Sequence, residues 1–252
     1  TRELKRRGVN VIARTAVDRV DTGANLGATV HYRQGDSDED RTAYGEVVLA
    51  AIGRVPNTDA DWFRSSGLKL DERGYVTVDG YGRTNLDGVW ALGDITPGHA
   101  LAHRAFEQGI TIAEKIAGAD PKPVIDDTVP QVVFSFPEAA SVGLTLDQAK
   151  AREDVVEPKE TAYPMLSNAR MLMSGEGGSM TVVSGAFANN PDMQVVLGVH
   201  IVSPIASDLI AEAEQLVGNR VPLADAARLI HPHPTFSETL GEALLKADGR
   251  PL

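Results

Sequence analysis

From about residue 130 the sequence sets out its strands first and its helices afterwards, and this order constrains the fold more than any other feature. Strand patterns lie near 131–135 and 141–144, a short helix follows at 145–152, and further strands lie near 155–163, 178–187 and 194–202. Helical spacing then holds over 204–217, 222–229 and 236–246. A run of strands followed by a run of helices predicts an α+β unit with an antiparallel sheet.

The earlier part reads differently. Residues 9–13, 27–33 and 46–52 read as strands, and the last (Glu-Val-Val-Leu-Ala-Ala-Ile) is apolar enough to be buried on both faces, as in a parallel sheet. The acidic stretch Gly35-Asp36-Ser37-Asp38-Glu39-Asp40 reads as a solvated hairpin loop. The opening Thr1–Gly8 has the look of the last turns of a helix, with basic residues at its end and Gly8 as its stop, so the chain is expected to begin inside an element. No Gly-x-Gly-x-x-Gly occurs, and Gly175-Glu176-Gly177-Gly178 has the wrong spacing and follows no strand. This α/β segment therefore reads as the tail of a nucleotide-binding domain without its phosphate loop.

Gly53-Arg54-Val55-Pro56-Asn57 marks a boundary. Beyond it come a hairpin-like region at Tyr75–Val78, a buried strand at Val89–Leu92, and a helix over 101–117. On that helix Ala102, Ala105, Phe106, Gly109, Ile110, Ala113 and Ile116 share one stripe. Gly118-Ala119-Asp120-Pro121 ends it, and Pro121–Pro130 reads as a linker.

The net charge of −11 argues against nonspecific nucleic-acid and anionic-membrane binding, which need clustered Lys and Arg. No apolar run approaches the roughly 20 residues that span a bilayer, and no signal-peptide pattern opens the chain. A cytoplasmic protein is the expectation. Cysteine is absent, so the chain offers no disulfide, no thiolate metal site and no cysteine nucleophile, and no metal site is expected.

The sharpest local signal is His231-Pro232-His233-Pro234-Thr235-Phe236-Ser237-Glu238. One reading is a capping box, with Thr235 as helix N-cap and Glu238 reaching back to its N–H. The string also resembles the signature His-x-His-Pro-Thr-x-Ser-Glu of the lipoamide dehydrogenase family of FAD-dependent, NAD-linked disulfide oxidoreductases. That resemblance implies that His233 is the general acid/base serving a redox-active thiol and the dithiol substrate, and that Glu238 orients it. Thiol–disulfide exchange runs through a thiolate, so it needs a base near neutrality, and a carboxylate behind an imidazole raises its basicity. The two readings compete for Glu238.

Four further stretches carry the resemblance. Thr84 through Asp94 (Thr-Asn-Leu-Asp-Gly-Val-Trp-Ala-Leu-Gly-Asp) matches the flavin-site motif, which implies that Asp94 binds the ribityl chain of FAD. Leu101-Ala102-His103 then opens a helix whose N-terminus would point at the pyrimidine edge of the flavin; the backbone is expected to do this, with the His103 side chain packing or at the surface. Ala51 through Asn57 matches the turn that closes the NAD domain, with Gly53 along the NAD cofactor. Pro130–Thr145 and Asn168-Ala169-Arg170 match without assigned chemistry.

By this resemblance residues 1–57 end a Rossmann-like NAD domain, 58–126 form a central FAD-contacting domain, and 127–252 form an interface domain with an antiparallel sheet and helices. The chain would be the C-terminal half of an enzyme that oxidises dihydrolipoamide with NAD through FAD and a Cys-x4-Cys disulfide. It would pair as a homodimer through 127–252, with His233 serving the other subunit's disulfide, and would meet lipoyl domains of 2-oxoacid dehydrogenase complexes. Alone it should be inactive and bind neither FAD nor NAD. Related mycothiol-, glutathione- or quinone-directed reductases, and a non-catalytic dimerisation module, are the alternatives. Ile205, Leu209, Ile210, Ala213 and Leu216 form a stripe that fits core or dimer surface, with core preferred. The His233–Pro234 bond is expected to be cis.

Overall fold

The computed structural model describes residues 1–23 and 27–250, in two compact units, Thr1–Val55 and Pro56–Leu252. The first opens with helix α1 (Arg2–Arg6), whose end is followed by Gly8 at φ +81°. Strands β1 (Thr15–Thr22), β2 (Ala28–Gln34) and β3 (Arg41–Gly45) then form an antiparallel sheet in that order. The acidic residues 35–40 connect β2 to β3, as expected.

Two expected strands are not formed. Residues 9–13 carry no ladder, and β1 begins only at Thr15. The run 46–52 lies exposed, with Leu49 at 87% and Ile52 at 96% of full accessibility, rather than inside a parallel sheet. A strand buried on both faces needs neighbours on both edges and layers on both faces. The described residues of this unit supply only the meander. Its first strand went unseen because it is exposed along almost its whole length, Val17 and Val20 included, and so shows no buried face; its Asp18 pairs with Arg33 across the ladder at 2.6 Å.

In the second unit, helix α2 (Asp61–Ser65) buries Phe63 against Val76 and Ala91, with Leu68, Leu70, Val78 and Ile95 around them. The expected hairpin at 75–78 and buried strand at 89–92 reduce to single bridges, Leu70 to Val76 and Arg83 to Trp90. Short backbone pairing persists beside them, with the Thr77 N–H on the Lys69 carbonyl and the Ala91 N–H on the Gly82 carbonyl, both at 2.9 Å, and side chains close the turns between. Asp71 Oδ1 accepts from the N–H groups of Arg73 and Tyr75, and Asp79 Oδ1 from those of Tyr81 and Arg83, all at 2.9 Å. Each carboxylate thus closes a local turn next to that pairing.

Helix α3 (Ala102–Ile116) forms as expected, but its apolar stripe is not its buried face. Arg104, Thr111 and Ile112 are buried, whereas Phe106 is 72% exposed and Ile110 and Ile116 are also exposed. Arg104 is held by Asp126 at 2.6 Å and donates to the Pro97 carbonyl at 2.7 Å, so its charge is compensated where it is buried.

From residue 131 the expected plan is met. Strands β4 (Gln131–Val133), β5 (Glu138–Gly143), β6 (Val155–Pro164), β7 (Ser179–Phe187) and β8 (Asn190–Ser203) form an antiparallel sheet in the order β4-β5-β8-β7-β6. Side chains alternate faces along a strand. Val182 and Val196 accordingly join the main core, while their neighbours Val183 and Leu197 join a smaller core with Leu144, Val155 and Ala149 of helix α4 (Leu146–Ala151). Helix α5 (Ala169–Ser174) crosses over from β6 to β7 and ends on Gly175 at φ +69°, so that glycine is a helix stop.

Helices α6 (Ala206–Gly218), α7 (Leu223–Ala226) and α8 (Glu238–Ala247) supply the main core's other half. Leu209, Ile210, Ala213 and Leu216 of α6 are buried there, and Ile205 packs against them, so that stripe is core. Leu240, Ala243, Leu244 and Ala247 seat α8 on β6 and β7, which fixes where its first residue, Glu238, must stand.

Candidate functional site

The loop from His231 to Ser237 enters α8, and the His233 ring and the Thr235 backbone meet Glu238 there. Glu238 Oε1 lies 2.8 Å from His233 Nδ1, and Oε2 accepts the Thr235 backbone N–H at 2.7 Å. Glu238 thus makes a contact on each oxygen, one to the imidazole and one to the loop backbone. The capping box itself is incomplete, because Ser237 is the N-cap and the Thr235 hydroxyl bonds the Pro232 carbonyl at 2.6 Å. The His233–Pro234 peptide is cis.

These contacts leave Glu238 largely shielded at 17% side-chain exposure while the His233 imidazole is 72% exposed. The Thr235 N–H, and after it the His233 ring, hold the Glu238 carboxyl below its ordinary range. A carboxylate oxygen can only accept, so Nδ1 carries the proton of this bond, and Nε2 is the ring nitrogen that Glu238 leaves over.

Asn168 was missed as a site residue by sequence reasoning, although the stretch 168–170 had stood out. It is buried, its Oδ1 caps α5 through the Met171 N–H at 3.0 Å, and its Nδ2 donates to the Thr235 carbonyl at 3.1 Å. Thr235 is thus held at both ends of its backbone, by Glu238 and by Asn168. Deeper in α8, Glu242 accepts from the Tyr163 hydroxyl, which also meets Ser167, and burial pushes the Glu242 carboxyl up.

Asp94, Leu101, Ala102 and His103 gather separately. Gly93 takes φ +72° and donates its N–H to Gln108 of α3 at 2.9 Å, which docks the turn Gly93–Ile95 on that helix. Asp94 beside it is exposed. Leu101 is the N-cap of α3 in extended backbone, and neither a side-chain cap nor an acidic residue occupies the helix's first turn. Its leading N–H groups keep their capacity to donate to an electron-rich partner. His103 Nε2 donates to the Pro130 carbonyl at 2.7 Å, a packing role for that side chain. Gly53 belongs to the other unit, at φ +127° with nothing within 4 Å of where a Cβ would sit, so a ligand could lie close to its backbone. Among the described residues no group of three or more His, Cys, Asp or Glu could hold a metal, and no helix is long and apolar enough to cross a membrane.

Two family models match this chain. Residues 1–109 match the pyridine nucleotide-disulphide oxidoreductase model and residues 129–244 the dimerisation domain of the same proteins. The chain belongs to the pyridine nucleotide-disulphide oxidoreductase family. Within it, the sequence is similar to dihydrolipoyl dehydrogenases: 39% identical over 253 residues to that of Cupriavidus necator and 37% over 257 residues to that of Geobacillus stearothermophilus. Each of these alignments covers the whole of this chain and 51% of the relative. The chain spans about half the length of the curated relatives it matches. Among solved structures, LpdA of Mycobacterium tuberculosis superposes with a TM-score of 0.82 at 30% identity, over 98% of this chain and 51% of that one. The HOCl-induced flavoprotein disulfide reductase RclA of Escherichia coli shares the fold, at a TM-score of 0.80 and 23% identity.

Proposed function

We propose that this chain supplies the base and part of the flavin cradle of an enzyme that oxidises dihydrolipoamide with NAD, through FAD and a redox disulfide. The observation that carries the reading is the His233–Glu238 pair: a shielded carboxylate on Nδ1 and an imidazole exposed at its other edge. In this role His233 Nε2 takes the proton of a substrate thiol. The resulting thiolate attacks one sulfur of a disulfide, forming one S–S bond and breaking another, and the leaving sulfur departs as a thiolate. Glu238 stabilises the imidazolium so formed, and Asn168 and Thr235 hold the loop in place. The chain has no cysteine, so the disulfide comes from elsewhere in the enzyme.

Exposed Asp94 and the uncapped first turn of α3 fit part of FAD: a carboxylate for hydroxyl donors and free N–H groups for an electron-rich ring edge. Bound there, the flavin would supply two-electron transfer between disulfide and nicotinamide. Gly53 would pass along NAD. On this reading 1–57 close the NAD domain, 58–126 form the central domain and 127–252 the dimer interface, through which a homodimer forms. The match of 129–244 to a dimerisation domain supports that pairing. Lipoyl domains are the proposed partners, and the cytoplasm the proposed compartment.

The test is His233→Ala in the full-length enzyme. A base in this role contributes about 10²–10⁴-fold, so dihydrolipoamide oxidation should fall by orders of magnitude with flavin content unchanged. Unchanged turnover would remove His233 as the base.

A further inference from the structure

The base loop contains a second histidine that the proposed chemistry does not use. His231 is 9% exposed at its side chain, and its Nε2 lies 2.7 Å from Glu212 Oε1 in the middle of α6. Its ring also rests against α8. A Cβ added at Gly241 would stand 2.6 Å from His231 Nδ1 and 2.8 Å from Cε1, so the imidazole occupies the space that a side chain at 241 would need. Gly241 is three residues after Glu238, and i,i+3 positions share a helix face. His231 is therefore fixed to α6 by a charge-assisted hydrogen bond and to α8 by close packing, two residues before His233. Both helices are seated in the main core.

We propose that His231, clamped between Glu212 and the backbone at Gly241, is a positioning residue that sets where the His233 imidazole stands relative to Glu238. The inference rests on His233 being the base. A bare loop reaching α8 through Pro232 and Pro234 would leave the imidazole's placement to the few contacts of Thr235. The clamp adds a fixed point upstream, so that His233 is anchored on both sides: by His231 before it and by Thr235 and Glu238 after it. The hydrogen bond to Glu212, opposed by burial, also raises the His231 pKa.

The experiment measures, in the holoenzyme, steady-state dihydrolipoamide oxidation beside NADH-driven reduction of an artificial electron acceptor, which needs the flavin but no thiol base. His231→Ala, Glu212→Gln and Gly241→Ala are compared with His231→Gln, whose amide N–H can reproduce the Nε2–H bond, and with His233→Ala. A displacement of about 1 Å can cost on the order of 100-fold, so the first three should lower kcat for the dithiol by about 10- to 100-fold. KM and artificial-acceptor turnover should stay within about twofold, and His231→Gln should recover most of the loss, the signature of an interaction needed in the transition state alone. Dithiol turnover within twofold of wild type in Glu212→Gln and Gly241→Ala would overturn the proposal. A parallel loss of both activities without recovery in His231→Gln would also overturn it, by showing a purely structural residue. If His233→Ala leaves dithiol turnover intact, the base reading itself fails and the clamp has nothing to position. If His233→Ala is inactive while the clamp variants are normal, only the clamp fails.

Discussion

Glu238 holds His233 with one oxygen and its own loop with the other: Oε1 stands 2.8 Å from Nδ1 of the imidazole, and Oε2 accepts the Thr235 N–H at 2.7 Å. The orientation of the imidazole is therefore tied to the backbone that carries it. A carboxylate with only one of these partners could swing; bound to both, it presents a fixed acceptor. The geometry separates two consequences, one for turnover and one for stability.

For turnover, Glu238→Gln keeps an oxygen for one partner but removes the charge that stabilises an imidazolium. Hydrogen bonds to charged groups are worth about 1.5–3 kcal/mol, which corresponds to about 10- to 100-fold in rate. Dihydrolipoamide oxidation in the full-length enzyme should fall by that factor, less than in His233→Ala. Stopped-flow or steady-state rates of the two variants side by side check the order, and equal losses would contradict it.

For stability, the sign follows from the direction of the shift. The Glu238 carboxyl is held below its unfolded value by the Thr235 N–H and the His233 ring. Its contribution is present above the unfolded carboxylate range and disappears as pH falls through the lower folded value. The opposite holds for His231, whose raised pKa makes its contribution complete below the ordinary histidine range and lost as pH rises through the folded value. Urea titrations at several pH values should show Glu238→Gln converging on wild type as pH falls below the ordinary carboxylate range, and His231→Gln converging on wild type as pH rises above the ordinary histidine range.

The interface sheet and its helices were legible because each strand from β5 to β8 has a buried face and each helix an apolar stripe, as in Leu209, Ile210, Ala213 and Leu216. Periodicity reports burial, and there the two agree. It failed where they part. Residues 46–52 are apolar yet exposed, and β1 is a strand without a buried face. At 75–78 the pairing shortens to one bridge beside a turn closed by the Asp71 carboxylate, which a strand pattern cannot express. In the site, His233 and Glu238 were readable because they lie five residues apart within one eight-residue motif. Asn168 and Glu212 were not, because each reaches the loop from a distant element, 67 and 19 residues away along the chain.

Asn168 gives a prediction that links that distance to stability. Its side chain is buried and makes two bonds, capping α5 and donating to the Thr235 carbonyl. Loss of a helix cap costs about 1 kcal/mol and leaving the partly buried Thr235 carbonyl unpaired about 1–3 kcal/mol. Asn168→Ala should therefore lower unfolding free energy by about 2–4 kcal/mol, measured by urea denaturation, and Asn168→Asp, which keeps the cap but cannot donate, should lie between.

The seat of α8 gives the last. Leu244 is fully buried in the main core, on the helix whose first residue is Glu238. Truncating a buried leucine removes its transfer energy and leaves a cavity, together about 2–5 kcal/mol. If the core fixes the helix as a rigid body, Leu244→Ala should lose that much stability by denaturant titration, yet hold the His233–Glu238 bond as long as the unit stays folded. The imidazole proton resonance on Nδ1, read by NMR at low temperature, reports that bond directly. Retention of the resonance at reduced stability would show that the core sets how long the site persists and the loop contacts set its geometry. Loss of the resonance in a folded variant would show instead that helix packing and site geometry are one cooperative unit.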